Sequence, residues 1–137
     1  MNIFFTGSVR GGRSHQPEYA AIIETLEHYG TVFSSHVSDD ALSSFGETSI
    51  TAREVLAREQ VALAKCDVIV AEVSTPSLGV GYLIAYASAL EKKIVALYRG
   101  DDALKLSAII KGDAKVETHA YKSEKDIERI LADIFSK

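Results

Sequence analysis

A glycine-rich turn near the start of the chain carries the first residues that could do chemistry. An apolar segment, residues 3–5, leads into residues 7–12, whose sequence is Gly-Ser-Val-Arg-Gly-Gly. Glycines let backbone N–H groups close on an anion, the Ser8 hydroxyl can donate, and Arg10 can bind phosphate oxygens through a fork of N–H groups. The segment is neither a P-loop nor a GxGxxG fingerprint. It predicts a site for a small phosphorylated ligand, with a plain glycine-rich turn and a solvated arginine as the alternative.

A second glycine-containing loop spans residues 74–82, with the sequence Ser-Thr-Pro-Ser-Leu-Gly-Val-Gly-Tyr. Ser77 stands where a helix should begin, so its side chain could cap that helix. Free N–H groups at the same helix end favour an anion, so capping and ligand binding are compatible roles. Gly79 and Gly81 suit the close approach of a bulky ligand.

Glu59 is the third signal, because a carboxylate stands on an otherwise apolar helix stripe. We expect residues 52–65 to form a helix with an apolar stripe at Val55, Leu56, Ala62 and Leu63. Glu59 shares one face with Val55, Ala62 and Leu63. On a helical wheel Arg53 and Arg58 point elsewhere, whereas Arg10 could reach this carboxylate. A carboxylate on the helix face that packs against the sheet is either paired with a basic side chain or placed at the rim of a pocket. The sequence leaves both a structural ion pair and a catalytic or ligand-binding role open.

Several other polar residues give weaker signals. His36 ends the second predicted strand, at the same sheet edge as the loops, where it could contact a ligand or be merely solvated. His15, His28 and His119 show no metal-ligand spacing together. Glu72 lies within the third strand, and the sequence does not decide whether it faces a cleft or a neighbouring backbone group. The sequence predicts that Cys66 is a small, buried, hydrophobic residue.

The bulk composition limits the classes of function. The chain has 137 residues, 47% of them hydrophobic and 25% charged, as expected for one ordinary domain over residues 1–137. A net charge of −4 argues against a nucleic-acid partner. A single cysteine rules out an intrachain disulfide. No apolar run is long enough to span a membrane and no signal peptide precedes the first strand, so we expect no membrane partner and a cytoplasmic location.

Strand and helix signals alternate along the chain. Strands are expected at residues 2–6, 31–37, 67–73, 93–98 and 116–121, and a polar loop at residues 38–50. Helices are expected at residues 14–29, 51–65, 79–90, 103–111 and 124–135, the second with a Thr51–Glu54 capping box. This order predicts an α/β fold with a five-stranded parallel sheet and helices on both faces. Ligands of such sheets bind beyond the carboxyl ends of the strands, where the loops 7–16, 37–50 and 74–80 should meet.

Several segments together resemble a known family. They are residues 5–12, Ser35-His36-Val37, residues 67–73, the run Pro-Ser-Leu-Gly-Val-Gly-Tyr at 76–82, and Ser-Ala-Ile-Ile-Lys-Gly at 107–112. In this order and spacing they are similar to the 2′-deoxynucleoside 5′-monophosphate N-hydrolases, the Rcl-like branch of the nucleoside 2-deoxyribosyltransferase superfamily. The resemblance covers nearly the whole chain.

The resemblance implies a three-layer Rossmann-like (flavodoxin-like) fold, a homodimer, and cleavage of the base–sugar bond in a nucleoside 5′-monophosphate without a metal or other cofactor. It places His36 near the base or sugar, and it assigns residues 107–112, with Ser107 and Ile109, to a segment that reaches the neighbouring subunit. The substrate-binding residues it implies in this sequence are Gly7, Ser8, Val9, Arg10, Gly11, Gly12, His36, Ser77, Gly79, Ser107 and Ile109. Phe4 stands where many relatives of that family carry a tyrosine.

This sequence departs from the family pattern at the reacting centre. The glutamate that attacks the sugar in the family corresponds to Leu83 here, and the family's second carboxylate, an aspartate, corresponds to Glu59. The leucine side chain has no lone pair, charge or ionisable proton, so position 83 cannot form a covalent intermediate with the sugar. Glu59 is then the candidate catalytic residue, either as nucleophile or as base for water.

Three functions stay open at this stage. The first is an N-glycosidase of nucleoside monophosphates that depends on Glu59. The second is a catalytically silent nucleotide-binding module, which Leu83 favours. The third is a nucleoside 2-deoxyribosyltransferase, which the predicted phosphate site disfavours, because a free nucleoside carries no phosphate.

Overall fold

A computed structural model of the chain describes residues 1–9, 16–33, 48–100 and 106–136, and of Gln16 only the backbone. The strands are β1 (Asn2–Thr6), β2 (Thr31–Phe33), β3 (Val68–Glu72), β4 (Lys93–Arg99) and β5 (Val116–Tyr121). The helices are α1 (Gln16–Glu27), α2 (Ala52–Lys65), α3 (Leu78–Ala89), α4 (Ala108–Gly112) and α5 (Glu124–Phe135). Arg10, Gly11, Gly12 and His36 lie outside the described residues.

The five strands form one parallel sheet in the order β2-β1-β3-β4-β5. The chain moves outward from β1 to β2, then returns to β3 on the other side of β1. The strand order therefore reverses between β1 and β3, which makes their carboxyl ends the topological switch point of the sheet. The predicted α/β architecture is confirmed.

Alternation along the strands divides the core into two layers. Ile3 and Phe5 of β1 pack with α1 and α5, whereas Phe4 between them packs with α2 and α3. In β3, Val68 and Val70 face the first layer and Ile69 and Ala71 face the second. Because both sheet faces are covered, β3 is buried along its whole length.

Local signals fix several element ends. Thr51 caps α2 through a complete capping box: its hydroxyl accepts from the Glu54 N–H, and the Glu54 carboxylate accepts from the Thr51 N–H at 2.7 Å. α1 ends at Glu27, two residues before the predicted limit. A Cβ at Gly30 would lie 2.1 Å from the Met1 carbonyl oxygen, so this turn between α1 and β2 requires glycine.

Two expectations about the helices are wrong in detail. α4 begins at Ala108, not near residue 103, and residues 101–105 lie outside the described part. On α2, Leu63 is fully buried, but Leu56 is 41% exposed and does not belong to the core stripe. Cys66, at the end of α2, is buried as predicted.

Among the described residues, no helix combines the length and apolar character needed to cross a membrane.

Candidate functional site

The turn after β1 is held in place by Tyr19 of α1. The Tyr19 ring packs edge-on against Phe5, and its hydroxyl donates to the Ser8 carbonyl oxygen at 3.3 Å. A Cβ at Gly7 would approach the same ring to 2.7 Å, so only glycine lets the chain pass this closely. Tyr19 therefore fixes where the backbone turns at the carboxyl end of β1.

Ser8 is the unusual residue of this turn. Its side chain is fully buried, yet among the described residues its Oγ has no hydrogen-bond partner. A buried hydroxyl without a partner costs about 1–3 kcal/mol, so such groups call for an explanation. A ligand oxygen bound at the switch point would supply the missing partner.

The N-terminus of α3 begins at the carboxyl end of the neighbouring strand, β3. Ser77 is the N-cap, and its Oγ accepts from the Val80 N–H at 3.4 Å. The capping role weighed from the sequence is therefore present. The first helical residue, Leu78, is 97% exposed.

The two glycines of this helix start face open space. A Cβ at Gly81 would meet nothing within 4 Å, and one at Gly79 would meet only the Ser77 hydroxyl at 3.9 Å. Packing among residues 1–9, 16–33, 48–100 and 106–136 therefore does not require glycine at either position. A molecule docked from outside could lie against the helix backbone here.

Glu59 forms an ion pair that the helical wheel did not predict. Both Nε and Nη2 of Arg58 donate to its Oε1, at 2.9 and 2.5 Å. The Glu59 side chain is only 12% exposed, whereas that of Arg58 is 39% exposed. The expectation that Arg58 points elsewhere is wrong, because its long side chain folds back along the helix to the carboxylate.

Leu83 lies on α3, next to the apolar layer between that helix and the sheet. It packs, half-buried, against a cluster that includes Phe4, Leu63 and Ile84. One polar contact joins α2 and α3 beside it, since Gln60 Nε2 donates to Tyr82 Oη at 3.5 Å. In the sequence, Glu59 precedes Gln60 and Leu83 follows Tyr82.

The segment that carries Ser107 and Ile109 is largely exposed. Ser107 is the N-cap of α4 but makes no side-chain capping hydrogen bond, and Ile109 is 83% exposed. The structure therefore places neither side chain in the core of the domain. Among the described residues, no group of three His, Cys, Asp or Glu side chains could hold a metal ion.

Glu72 is a functional candidate that sequence reasoning left undecided. It is fully buried at the end of β3, where the hydroxyls of Ser74 and Tyr121 donate to its Oε1. Tyr121 lies 49 residues further along the chain, so no local pattern could have shown this contact.

The fold and the site together define an α/β domain in which the buried Ser8 hydroxyl and the N-terminus of α3 follow the two strands that flank the switch point of the sheet. Residues 3–125 match the family model described as nucleoside 2-deoxyribosyltransferase. The chain belongs to this family, and the resemblance found in the sequence is confirmed.

Named relatives cover almost the entire chain. A 5-hydroxymethyl-dUMP N-hydrolase from Danio rerio is 44% identical over 98% of this chain and 96% of its own length. A putative 2′-deoxynucleoside 5′-phosphate N-hydrolase 1 from Syntrophotalea carbinolica is 35% identical over 100% of this chain and 96% of its own. The structure of the Clostridium botulinum CMP N-glycosidase BcmB superposes with a TM-score of 0.69, at 20% identity, over 98% of this chain and 99% of its own. That superposition supports the fold.

Proposed function

We propose that this protein is an N-glycosidase that hydrolyses the base–sugar bond of a nucleoside 5′-monophosphate. The observation that carries the proposal is the buried hydroxyl of Ser8 at the switch point of the sheet, which has no hydrogen-bond partner among the described residues. Similarity over nearly the full length to relatives named as nucleoside-monophosphate N-hydrolases supports it.

In this proposal, two segments bind the phosphate. Ser8 and the backbone from Gly7 to Gly12, with Arg10, surround the phosphate from the side of β1, and Ser77 with the N-terminus of α3 faces it from β3. A charge-assisted hydrogen bond contributes about 1.5–3 kcal/mol, so a few such bonds suffice for micromolar affinity. His36 and Gly79 are assigned to the base or sugar.

Glu59 is the proposed catalytic group. Cleavage of an N-glycosidic bond builds positive charge on the sugar, by analogy with glycoside hydrolysis, and a carboxylate nearby stabilises it. Arg58 pairs with the Glu59 carboxylate, and Leu83, at the position of the family nucleophile, has no polar side-chain atom. We therefore assign to Glu59 the role of base for an attacking water or of nucleophile.

Base release from nucleotides tests this function. Purified protein is incubated with 5-hydroxymethyl-dUMP, dGMP and CMP, and free base is quantified by chromatography. The proposal predicts release from at least one monophosphate, abolished in Glu59→Gln. Absence of release from every monophosphate, with wild type and Glu59→Gln indistinguishable, would refute it.

The second candidate is a nucleotide-binding protein without turnover. The packing of Leu83 against the apolar layer favours it, because position 83 is then part of the core and not of a reacting centre. Calorimetry would show monophosphate binding while no base is released. Transfer of deoxyribose between two free bases would instead indicate the transferase chemistry named in the family description.

We further propose a homodimer in which Ser107 completes the site of the neighbouring subunit. Exposed apolar side chains support it: Leu78 at 97%, Ile109 at 83% and Tyr82 at 51%. Mixing Glu59→Gln with Ser107→Ala subunits tests it, because only an exchange of Ser107 between subunits creates one intact site per heterodimer. Recovery of base release supports the exchange, whereas no recovery from a mixture that forms heterodimers refutes it. We also propose a cytoplasmic location for the protein.

A further inference from the structure

A buried cluster around Glu72 does not include the proposed catalytic residue, Glu59. One oxygen of this carboxylate, Oε1, accepts from Ser74 Oγ and from Tyr121 Oη, the latter at 3.0 Å. Burial, and then the charge of Glu72, raise the pKa of Tyr121, so its phenol stays protonated and donates. The ends of β3 and β5 are therefore joined through a single carboxylate oxygen.

Ser74 extends this connection to β4. While its hydroxyl donates to Glu72, its Oγ accepts from the backbone N–H of Arg99 at 2.7 Å. Ser74 stands three residues before Ser77, the N-cap of α3. The hydroxyl thus fixes the start of the β3–α3 loop against the neighbouring strand.

The side chain of Arg99 connects β4 to helix α1. It pairs with Glu18 in the first turn of α1, and the side chains of Arg99 and Glu18 are 48% and 16% exposed. In the sequence, α1 begins four residues after the end of the glycine-rich segment 7–12. Arg99 therefore contacts two segments. Its backbone N–H holds the β3–α3 loop, and its side chain holds the start of α1.

We propose that Glu72, Ser74, Arg99 and Glu18 form a positioning relay that sets the distance between the two phosphate-binding segments. The inference rests on the proposed function, since it concerns the monophosphate site. An anion bound by donors on two separate loops is held well only if their spacing matches it, and a misplacement of about 1 Å can cost up to ~10²-fold in activity. The relay residues act through the loops and do not touch the substrate.

The relay is tested by binding measurements on paired variants. Dissociation constants for 5-hydroxymethyl-dUMP and for inorganic phosphate are measured calorimetrically with wild type, Ser74→Ala, Ser74→Thr and Glu18→Gln. Ser123→Ala, which removes the capping hydroxyl of α5 and none of the relay contacts, is the control for Ser74→Ala. Glu24→Gln, an exposed residue of the same helix, is the control for Glu18→Gln.

Ser74→Ala is expected to weaken binding of both ligands about tenfold, as for the loss of one positioned hydrogen bond. Ser74→Thr keeps the hydroxyl and should bind as wild type does. Glu18→Gln gives the sharper result, because removing a negative charge would by itself tighten the binding of an anion. The relay predicts the opposite, weaker binding, while both controls stay within about twofold of wild type.

Two results would overturn the relay. One is wild-type affinity in Ser74→Ala and in Glu18→Gln, which leaves the proposed function standing. The other is a wild-type protein that binds no mononucleotide, which removes the proposed function as well. If Ser74→Ala does not fold, the sign of the change in Glu18→Gln decides the question alone.

Discussion

Gln60 of α2 and Tyr82 of α3 are joined by a side-chain hydrogen bond, with 3.5 Å between Nε2 and Oη. Glu59 precedes Gln60 in the sequence and Leu83 follows Tyr82, so this bond joins the two helix segments that carry them. The family resemblance assigns the nucleophilic glutamate to the position of Leu83 and the second carboxylate to that of Glu59.

Leu83→Glu should restore a second carboxylate. Because removal of a nucleophile can cost about 10⁶ in rate in another enzyme class, we expect base release to rise by roughly 10³ or more. The apolar neighbours of position 83 should make the variant less stable than wild type. Single-turnover base release from 5-hydroxymethyl-dUMP measures the gain. Leu83→Gln, similar in size but not ionisable, is the control and should show no gain.

The stereochemistry of the product should differ from that of a two-step route. If Glu59 acts as base for water, one displacement at the sugar carbon inverts its configuration, whereas a covalent intermediate retains it. We expect the α-anomer of the sugar phosphate as the first product, observed by NMR before mutarotation. We also expect no methyl glycoside when methanol is added. Retention together with methyl transfer would identify Glu59 as the nucleophile.

Ser8→Ala should separate stability from binding. The wild-type hydroxyl is buried without a partner among the described residues, so its removal should leave the unbound protein as stable or more stable. The same change should weaken mononucleotide binding about tenfold, because it removes one hydrogen bond to the phosphate. Thermal unfolding with and without nucleotide measures both effects. Thr6→Ser, in the same buried turn region, serves as control and should leave affinity unchanged.

Stability should fall at alkaline pH partly because of Cys66. Burial, with the charge of Asp67, raises the pKa of its thiol from 9.0 to about 11. Between these values the folded state binds more protons than the unfolded state, so the free energy of unfolding decreases as the pH rises. Urea titrations between pH 8 and pH 11 measure this slope, and Cys66→Ala should make it shallower. An unchanged slope in that variant would contradict the assignment.

Much of the fold could be predicted because its signals are local. The capping box of α2 needs only Thr51 and Glu54, and the uninterrupted apolar run of β3 directly indicates a strand covered on both faces. Alternating strands and helices then restrict the sheet to parallel order. The limits of α1 and α4 were less accurate, since no equally strong stop or start signal marks them.

The details of the site depended on contacts that no local pattern contains. The wheel places Arg58 and Glu59 on different faces, but a flexible arginine side chain reaches its neighbour's carboxylate. The environment of Glu72 depends on Tyr121, far along the chain, and the unpartnered state of Ser8 depends on everything packed around it. The sequence could identify these residue types, whereas their surroundings required the three-dimensional structure.

Binding of a phosphate monoester at the turn after β1 is the central claim, and calorimetric titration tests it most directly. 5-Hydroxymethyl-dUMP and the corresponding unphosphorylated nucleoside are titrated into wild type and Arg10→Ala, with Arg129→Gln on α5 as a matched control. We predict micromolar binding of the monophosphate to wild type and to the control, and binding weakened about 100-fold in Arg10→Ala and for the nucleoside. Equal affinities of wild type and Arg10→Ala for the monophosphate would contradict the account.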